Sequence, residues 1–273
     1  GVRLLQCSDD GWAELYLRSF YDALRASGHK VIISATAESQ PGSGKLDIEP
    51  KDRDDPCQYG SCPAFSGPTG FNATCPDLYW VNSVAVTTMR YGIDRFATER
   101  WNATPELAVS GVNVGSTFLS NIPVSGNVAA AAFASGVKSI PAIAFSGASN
   151  GNLPWNTSPL ATHLVDKIAA AGWPYLPPKT LLNVNFPEVN EWECNHPDRF
   201  HWVLSRVETG PHKTPDVAVC GTAHTLPDES RVVTTKGCYI SVSVVDSDDL
   251  STASEAKQQQ VLDKLRDLFS CLP

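Results

Sequence analysis

Short continuous apolar blocks alternate with longer segments of helical spacing along the first two thirds of the chain. Residues 2–6 read as a buried strand, 12–27 as an amphipathic helix ending at Gly28, and 31–34 as a second strand. Further on, 81–91 reads as a helix, 107–110 as a strand, 124–135 as an Ala-rich helix and 142–146 as a strand. A helix over 159–171 and a strand over 181–186 close this part. Strands that alternate with helices imply a mostly parallel sheet covered on both faces, an α/β, Rossmann-like architecture. From about residue 187 the pattern changes. Segments 202–207, 232–234 and 239–245 read as strands between polar loops, and 254–269 as a closing helix. The expectation is one α/β domain over 1–273, with a core at 1–187, a C-terminal β-rich extension at 188–250 and a closing helix at 251–273. One stretch breaks the alternation: residues 35–78 are rich in Gly, Pro, Ser and Asp and show little periodicity. A segment that long in a compact domain is functional or held by disulfides, and Cys57, Cys62 and Cys75 lie within it.

Charge and cysteine content narrow the setting. The net charge of -8 over 273 residues argues against a nucleic-acid polymer or an anionic membrane as partner. No apolar run approaches a membrane span. The chain opens almost directly on a strand, so a signal peptide is expected to have been removed or never present. Eight cysteines point to an oxidising compartment, and the sequons at Asn72, Asn102 and Asn156 agree with a secreted, glycosylated protein. Pro105 and Pro159 follow two of these sequons closely. Cys57 and Cys62 bracket a tight polar loop and form the expected bridge.

The first strand runs into Ser8-Asp9-Asp10-Gly11-Trp12. Ligands bind at the carboxyl ends of strands in open α/β sheets, and two carboxylates placed there need a cation, a shared proton or several donors. A second strand ends in Ser110-Gly-Val-Asn113, which brings an amide to the same rim. In Ser125-Gly-Asn127 a turn opens a helix whose free N–H groups suit an anion such as phosphate; Ser125 is otherwise a plain N-cap. Carboxylates, an amide oxygen and a helix start suit Mg or Mn and a phosphate ester. Trp12, Trp80 and Trp155 are read as pocket walls or as core. His196, His201, His212 and His224 are candidates for a base or for surface roles, and Trp192, Phe200 and Trp202 for arm packing or a dimer contact. There is no Gly-x-Ser-x-Gly nucleophile elbow, and Pro41-Gly-Ser-Gly-Lys45 lacks the first Gly and the final Ser/Thr of a phosphate loop.

In this order the motifs resemble the SurE (survival protein E) family, metal-dependent nucleotidases and acid phosphatases with a Rossmann-like fold, and within it a secreted fungal branch. The resemblance runs through Asp9-Asp10-Gly11-Trp12, the Cys57–Cys62 loop, Tyr79-Trp-Val-Asn-Ser83, Met89-Arg-Tyr-Gly92, Val109-Ser-Gly-Val-Asn113 and Ile140-Pro-Ala-Ile-Ala-Phe-Ser-Gly147. It continues in Leu182-Asn-Val-Asn-Phe-Pro187 and Gly237-Cys-Tyr-Ile-Ser-Val-Ser243. The resemblance implies that Asp9, Asp10 and Asn113 hold the metal, and it implies a homodimer built through the C-terminal arm. It also exposes departures. Ser8 replaces an Asn, Pro41 stands where the family has a ligand Ser, Asn127 replaces a Thr and Ala129 a Gly. Proline offers neither a side-chain oxygen nor an N–H; Ser43 and Ser39 are nearby substitutes at other spacings.

Three functions follow. The first is a secreted phosphomonoesterase with Mg or Mn on Asp9, Asp10 and Asn113, Ser110 and Ser125 donating to phosphate, and Trp12, Trp80, Ser43 and Asn127 around a small-molecule substrate. The second is a metal-free lyase or cyclase of secondary metabolism, in which Asp9 and Asp10 share a proton. The third is a secreted binding protein without chemistry.

Overall fold

The computed structural model describes residues 1–148, 154–189, 192–207, 215–221 and 224–273. The apolar blocks become nine strands of one sheet: β1 Arg3–Cys7, β2 Lys30–Thr36, β3 Thr69–Asn72, β4 Cys75–Val81, β5 Leu107–Val114, β6 Ala142–Gly147, β7 Thr180–Asn185, β8 Phe200–Ser205 and β9 Cys238–Asp246. Their order across the sheet is β3-β4-β2-β1-β5-β6-β7-β9-β8. The six strands from β4 to β7 are parallel, while β3 pairs antiparallel with β4 and β9 antiparallel with β7. Successive strand residues face opposite sides, so a parallel strand covered on both faces must be apolar throughout. Leu4 and Leu5 of β1 show this: Leu4 joins Phe20, Val109, Phe145 and Phe186 on one face, and Leu5 joins Ile32, Met89, Ala130 and Leu181 on the other. Helices α1 Leu15–Ala26 and α5 Pro154–Ala170 pack together, and so do α2 Ala85–Tyr91 and α4 Gly126–Ala132. The remaining helices are α3 Ala97–Trp101, α6 Glu229–Thr234 and α7 Glu255–Lys264.

Several expectations need correction. Residues 232–234 are helical, not extended; they belong to α6, where Val232 is buried beside β9. Their β-branched composition favours a strand, but packing against β9 overrides that weak preference. Residues 75–81, read as loop and helix start, form β4, because Leu78-Tyr-Trp-Val81 pairs in parallel with residues 33–36 of β2. β5 does not stop at Ser110 but continues to Val114 through an irregularity between Ser110 and Asn113. The C-terminal strands extend the main sheet: β9 pairs with β7 along residues 180–185, with β8 at the edge. Phe200 and Trp202 pack into the core, whereas Trp192 is 86% exposed.

The Cys57–Cys62 bridge forms, and bridges Cys194–Cys238 and Cys220–Cys271 fasten the C-terminal part. Cys7 and Cys75 are reduced. Burial pushes the Cys7 thiol up to about 12, which keeps it inert under β1. Of the sequons, Asn72 is half-buried with its Oδ1 accepting from Thr74 and Cys75, Asn102 is exposed after α3, and the Asn156 side chain lies outside the described residues. Strand order reverses where β1 meets β5, so the crevice above their carboxyl ends is where this topology places a ligand.

Candidate active site

Beyond β1 the chain turns through Ser8-Asp9-Asp10-Gly11 across that crevice. The Ser8 hydroxyl accepts the Asp10 N–H at 3.1 Å, and the Asp9 carbonyl accepts the Gln40 N–H at 2.7 Å, which ties the turn to the loop after β2. Gly11 has φ +113°, and a Cβ there would meet Gln58 Oε1 at 1.9 Å, so the Cys57–Cys62 loop lies directly on this turn. From β5 come Ser110, level with Cys7, and Asn113, level with Ser146. The Asn113 amide N–H is fixed by donating to the Gly115 carbonyl at 2.7 Å, which leaves its Oδ1 facing Asn127.

Asn127 is fully buried and joins these pieces. Its Oδ1 accepts from the Asp9 backbone N–H at 3.1 Å and from the Ser110 hydroxyl at 2.9 Å. With both acceptor positions taken, Nδ2 points the other way and donates to Asp9 Oδ1 at 2.6 Å and Asn113 Oδ1 at 3.0 Å. Ser110 therefore supports Asn127 from a fully buried position and does not face a substrate. Ser125 likewise serves as the N-cap, accepting the Val128 N–H at 3.2 Å. The anion at the start of α4 is Asp9 itself, since the backbone N–H groups of Asn127 and Gly126 both favour its charged form.

Burial raises both carboxyls of the pair. Asp9 is pushed to about 7, first by burial and then by the charge of Asp10, against the pull of those N–H groups. Asp10 is pushed to about 6 by burial; the Val114 N–H on its Oδ2 at 2.9 Å draws it back and Glu14 pushes it up. Among the described residues no Lys or Arg pairs with either one.

The loop after β2 supplies the remaining oxygen. Pro41 and Ser39 are exposed, but Ser43 is buried and its hydroxyl has no protein partner. A Cβ on Gly126 would sit 2.6 Å from Ser43 Oγ and 2.6 Å from Asp9 Oδ2, so the bare Cα of Gly126 makes room for both. Ser43 thus reaches the centre from two positions beyond Pro41. The spacing alone did not foretell this.

Trp12 and Trp80 do not wall this centre. Trp12 is buried in the core with its indole N–H donating to Ser61 at 2.8 Å, and Trp80 is buried over Gly70 beside a cavity of about 600 Å³ near the Cys57–Cys62 loop. The Trp155 side chain and His212 lie outside the described residues. His196, His201 and His224 are exposed, and among the described residues no histidine touches Asp9, Asp10 or Asn113. Nor do three or more His, Cys, Asp or Glu side chains gather anywhere among them to hold a metal. A cation here would have an all-oxygen set: two carboxylates, an amide and a hydroxyl. That set fits a hard ion such as Mg or Mn, and the unpartnered Ser43 hydroxyl is what such an ion would satisfy.

Fold and site together define a Rossmann-like α/β protein with an acidic, oxygen-lined centre at its strand-order reversal. The family model described as "Survival protein SurE" matches residues 4–228, and the chain belongs to that family. It is 27% identical to an acid phosphatase of Yarrowia lipolytica over 94% of this chain and 82% of that protein. It is 26% identical to a 5'-nucleotidase SurE of Solidesulfovibrio magneticus over 86% of this chain and 88% of that protein. The crystal structure of the SurE protein from Aquifex aeolicus superposes with a TM-score of 0.64 at 20% identity, covering 97% of this chain and 99% of that one.

Two outcomes test this geometry. Asn127→Ala leaves the Asp9 N–H and the Ser110 hydroxyl buried without that acceptor, and urea unfolding is expected to show a loss of about 2–4 kcal/mol. The carboxyl shifts give the second. Unfolded Asp9 and Asp10 titrate near 3.9, well below their folded values of about 7 and 6, so the folded state binds more protons between them. In chelator, stability therefore falls as pH rises from about 4 to 7, and Asp9→Asn flattens that decline in Tm against pH.

Proposed function

We propose that this chain is a secreted phosphomonoesterase whose divalent cation is held by Asp9, Asp10, Asn113 and Ser43. The observation that carries this reading is the unpartnered, buried Ser43 hydroxyl set beside Asp9 across Gly126. Family membership and the acid phosphatase and nucleotidase names of its relatives support the same reaction. When bound, Mg or Mn supplies the positive charge that draws in a phosphate ester and lowers the pKa of an attacking water. The protein's part is orientation. Asn127 fixes one oxygen of Asp9 and the oxygen of Asn113, and Val114 fixes one oxygen of Asp10. Hydrolysis forms the bond from water oxygen to phosphorus, breaks the ester P–O bond and returns a proton to the leaving alcohol. Three disulfides fit work in an oxidising compartment, and no helix among the described residues is long and apolar enough to cross a membrane.

One observation favours a metal-independent enzyme instead. The Asn127 amide lies between Asp9 Oδ1 and Asn113 Oδ1 and already offers both a positive N–H. Phosphate release separates the two readings. With Mn or Mg, turnover of phosphate monoesters is expected; chelator abolishes it, and Asp9→Asn and Gly126→Ala each reduce kcat/KM on the order of 10²–10³-fold. Well-folded protein that releases no phosphate with any divalent ion would sink the proposal.

A further inference from the structure

The rim of the centre carries exposed apolar side chains from five separate segments. Tyr59, on the Cys57–Cys62 loop, is 74% exposed, and its hydroxyl donates to Glu14 Oε2 at 3.2 Å; Leu15 follows Glu14 at the start of α1. The Glu14 N–H donates to the Gly11 carbonyl at 3.2 Å, and Gln58 lies against Gly11, which places this pair of segments beside Asp10. Val114 is exposed, and its backbone N–H is bonded to Asp10. Val124 is exposed just before Ser125 and Gly126; its carbonyl accepts the Gly44 N–H at 3.0 Å, and exposed Leu46 lies two residues further along that loop. Five of the eleven exposed large apolar residues among those described belong to these segments. Scattered single apolar residues need no explanation, but a set gathered around an acidic, oxygen-lined centre does.

Asp9, Asp10 and Glu14 form no ion pair with a Lys or Arg among the described residues. Arg3 is paired with Glu106 and Arg18 sits on the Trp12 carbonyl and ring, while the exposed Lys45 beside Leu46 donates to the Asp248 carbonyl at 3.2 Å. An apolar body on the substrate would cover Tyr59, Val114 and Val124 and remove their surface from water. We infer that the leaving group of the substrate is an apolar alcohol or phenol, held by Tyr59, Leu15, Val114, Val124 and Leu46, in preference to the more polar nucleosides. This rests on the phosphomonoesterase reading.

The test compares kcat/KM for 1-naphthyl phosphate and adenosine 5′-monophosphate in saturating Mn, for the unmodified protein and for Tyr59→Ser and Val124→Ser. Both substitutions are at exposed positions and keep the fold, checked by circular dichroism. The unmodified protein is expected to prefer the naphthyl ester by at least about tenfold, and each variant to lower that ratio severalfold, the range one apolar contact gives. Equal turnover of the two esters, a preference for the nucleotide, or variants that leave the ratio unchanged would overturn the inference while leaving the hydrolytic reading standing. Release from neither ester, nor from a panel of other monoesters, would overturn the hydrolytic reading and this inference with it.

Discussion

The candidate centre depends on the side-chain amide of Asn127. Its two donors and two acceptor positions are all used, each on a different group: the Asp9 backbone, the Ser110 hydroxyl, the Asp9 carboxylate and the Asn113 amide. These groups come from the turn after β1 and from β5, and the amide itself from the start of α4, so one planar group sets the relative position of three elements. A carboxylate turned towards a buried sheet edge would cost several kcal/mol without such partners. Saturation also removes ambiguity. Because both acceptor positions of Oδ1 are taken, Nδ2 has only one way to face, and the site oxygens it holds cannot swing away.

Burial that precise has a cost in charge. Asp9 and Asp10 are adjacent, largely withdrawn from water and unpaired with any described cation, and both carboxyls are raised as a result. The fold accepts this where strand order reverses, as α/β proteins do at ligand sites. Gly126 shows the same economy of space. Any side chain there would press on Asp9 Oδ2 and Ser43 Oγ, and its absence lets a loop from β2 and a turn from β1 meet over the first turn of α4.

Much of this was legible in the chain. Continuous apolar blocks gave the parallel strands because burial on both faces demands them, and Asp9, Asp10 and Asn113 stood where strand ends converge. The elements misread were those settled by partners far away in sequence. Leu78-Tyr-Trp-Val81 is a strand because β2 lies beside it, and Val232-Val-Thr234 is helical because β9 offers it a face. Among site residues, Ser43 was obscured by Pro41, since motif spacing counts residues and cannot see a loop that turns at residues 41–42 and comes back inward. Ser110 and Ser125 have the right hydroxyls in the right motif, yet both are spent on support, which only the bonding partners reveal. Trp12 and Trp80 carry enough apolar surface to wall a pocket, and for the same reason the core claims them.

The most direct measurement is the position of manganese, read from anomalous diffraction of crystals grown in Mn. The account predicts one strong peak at about 2.0–2.3 Å from oxygens of Asp9, Asp10, Asn113 and Ser43, absent after Gly126→Ala. A centre that stays empty at saturating Mn, with Asn127 still bridging Asp9 and Asn113, would contradict it.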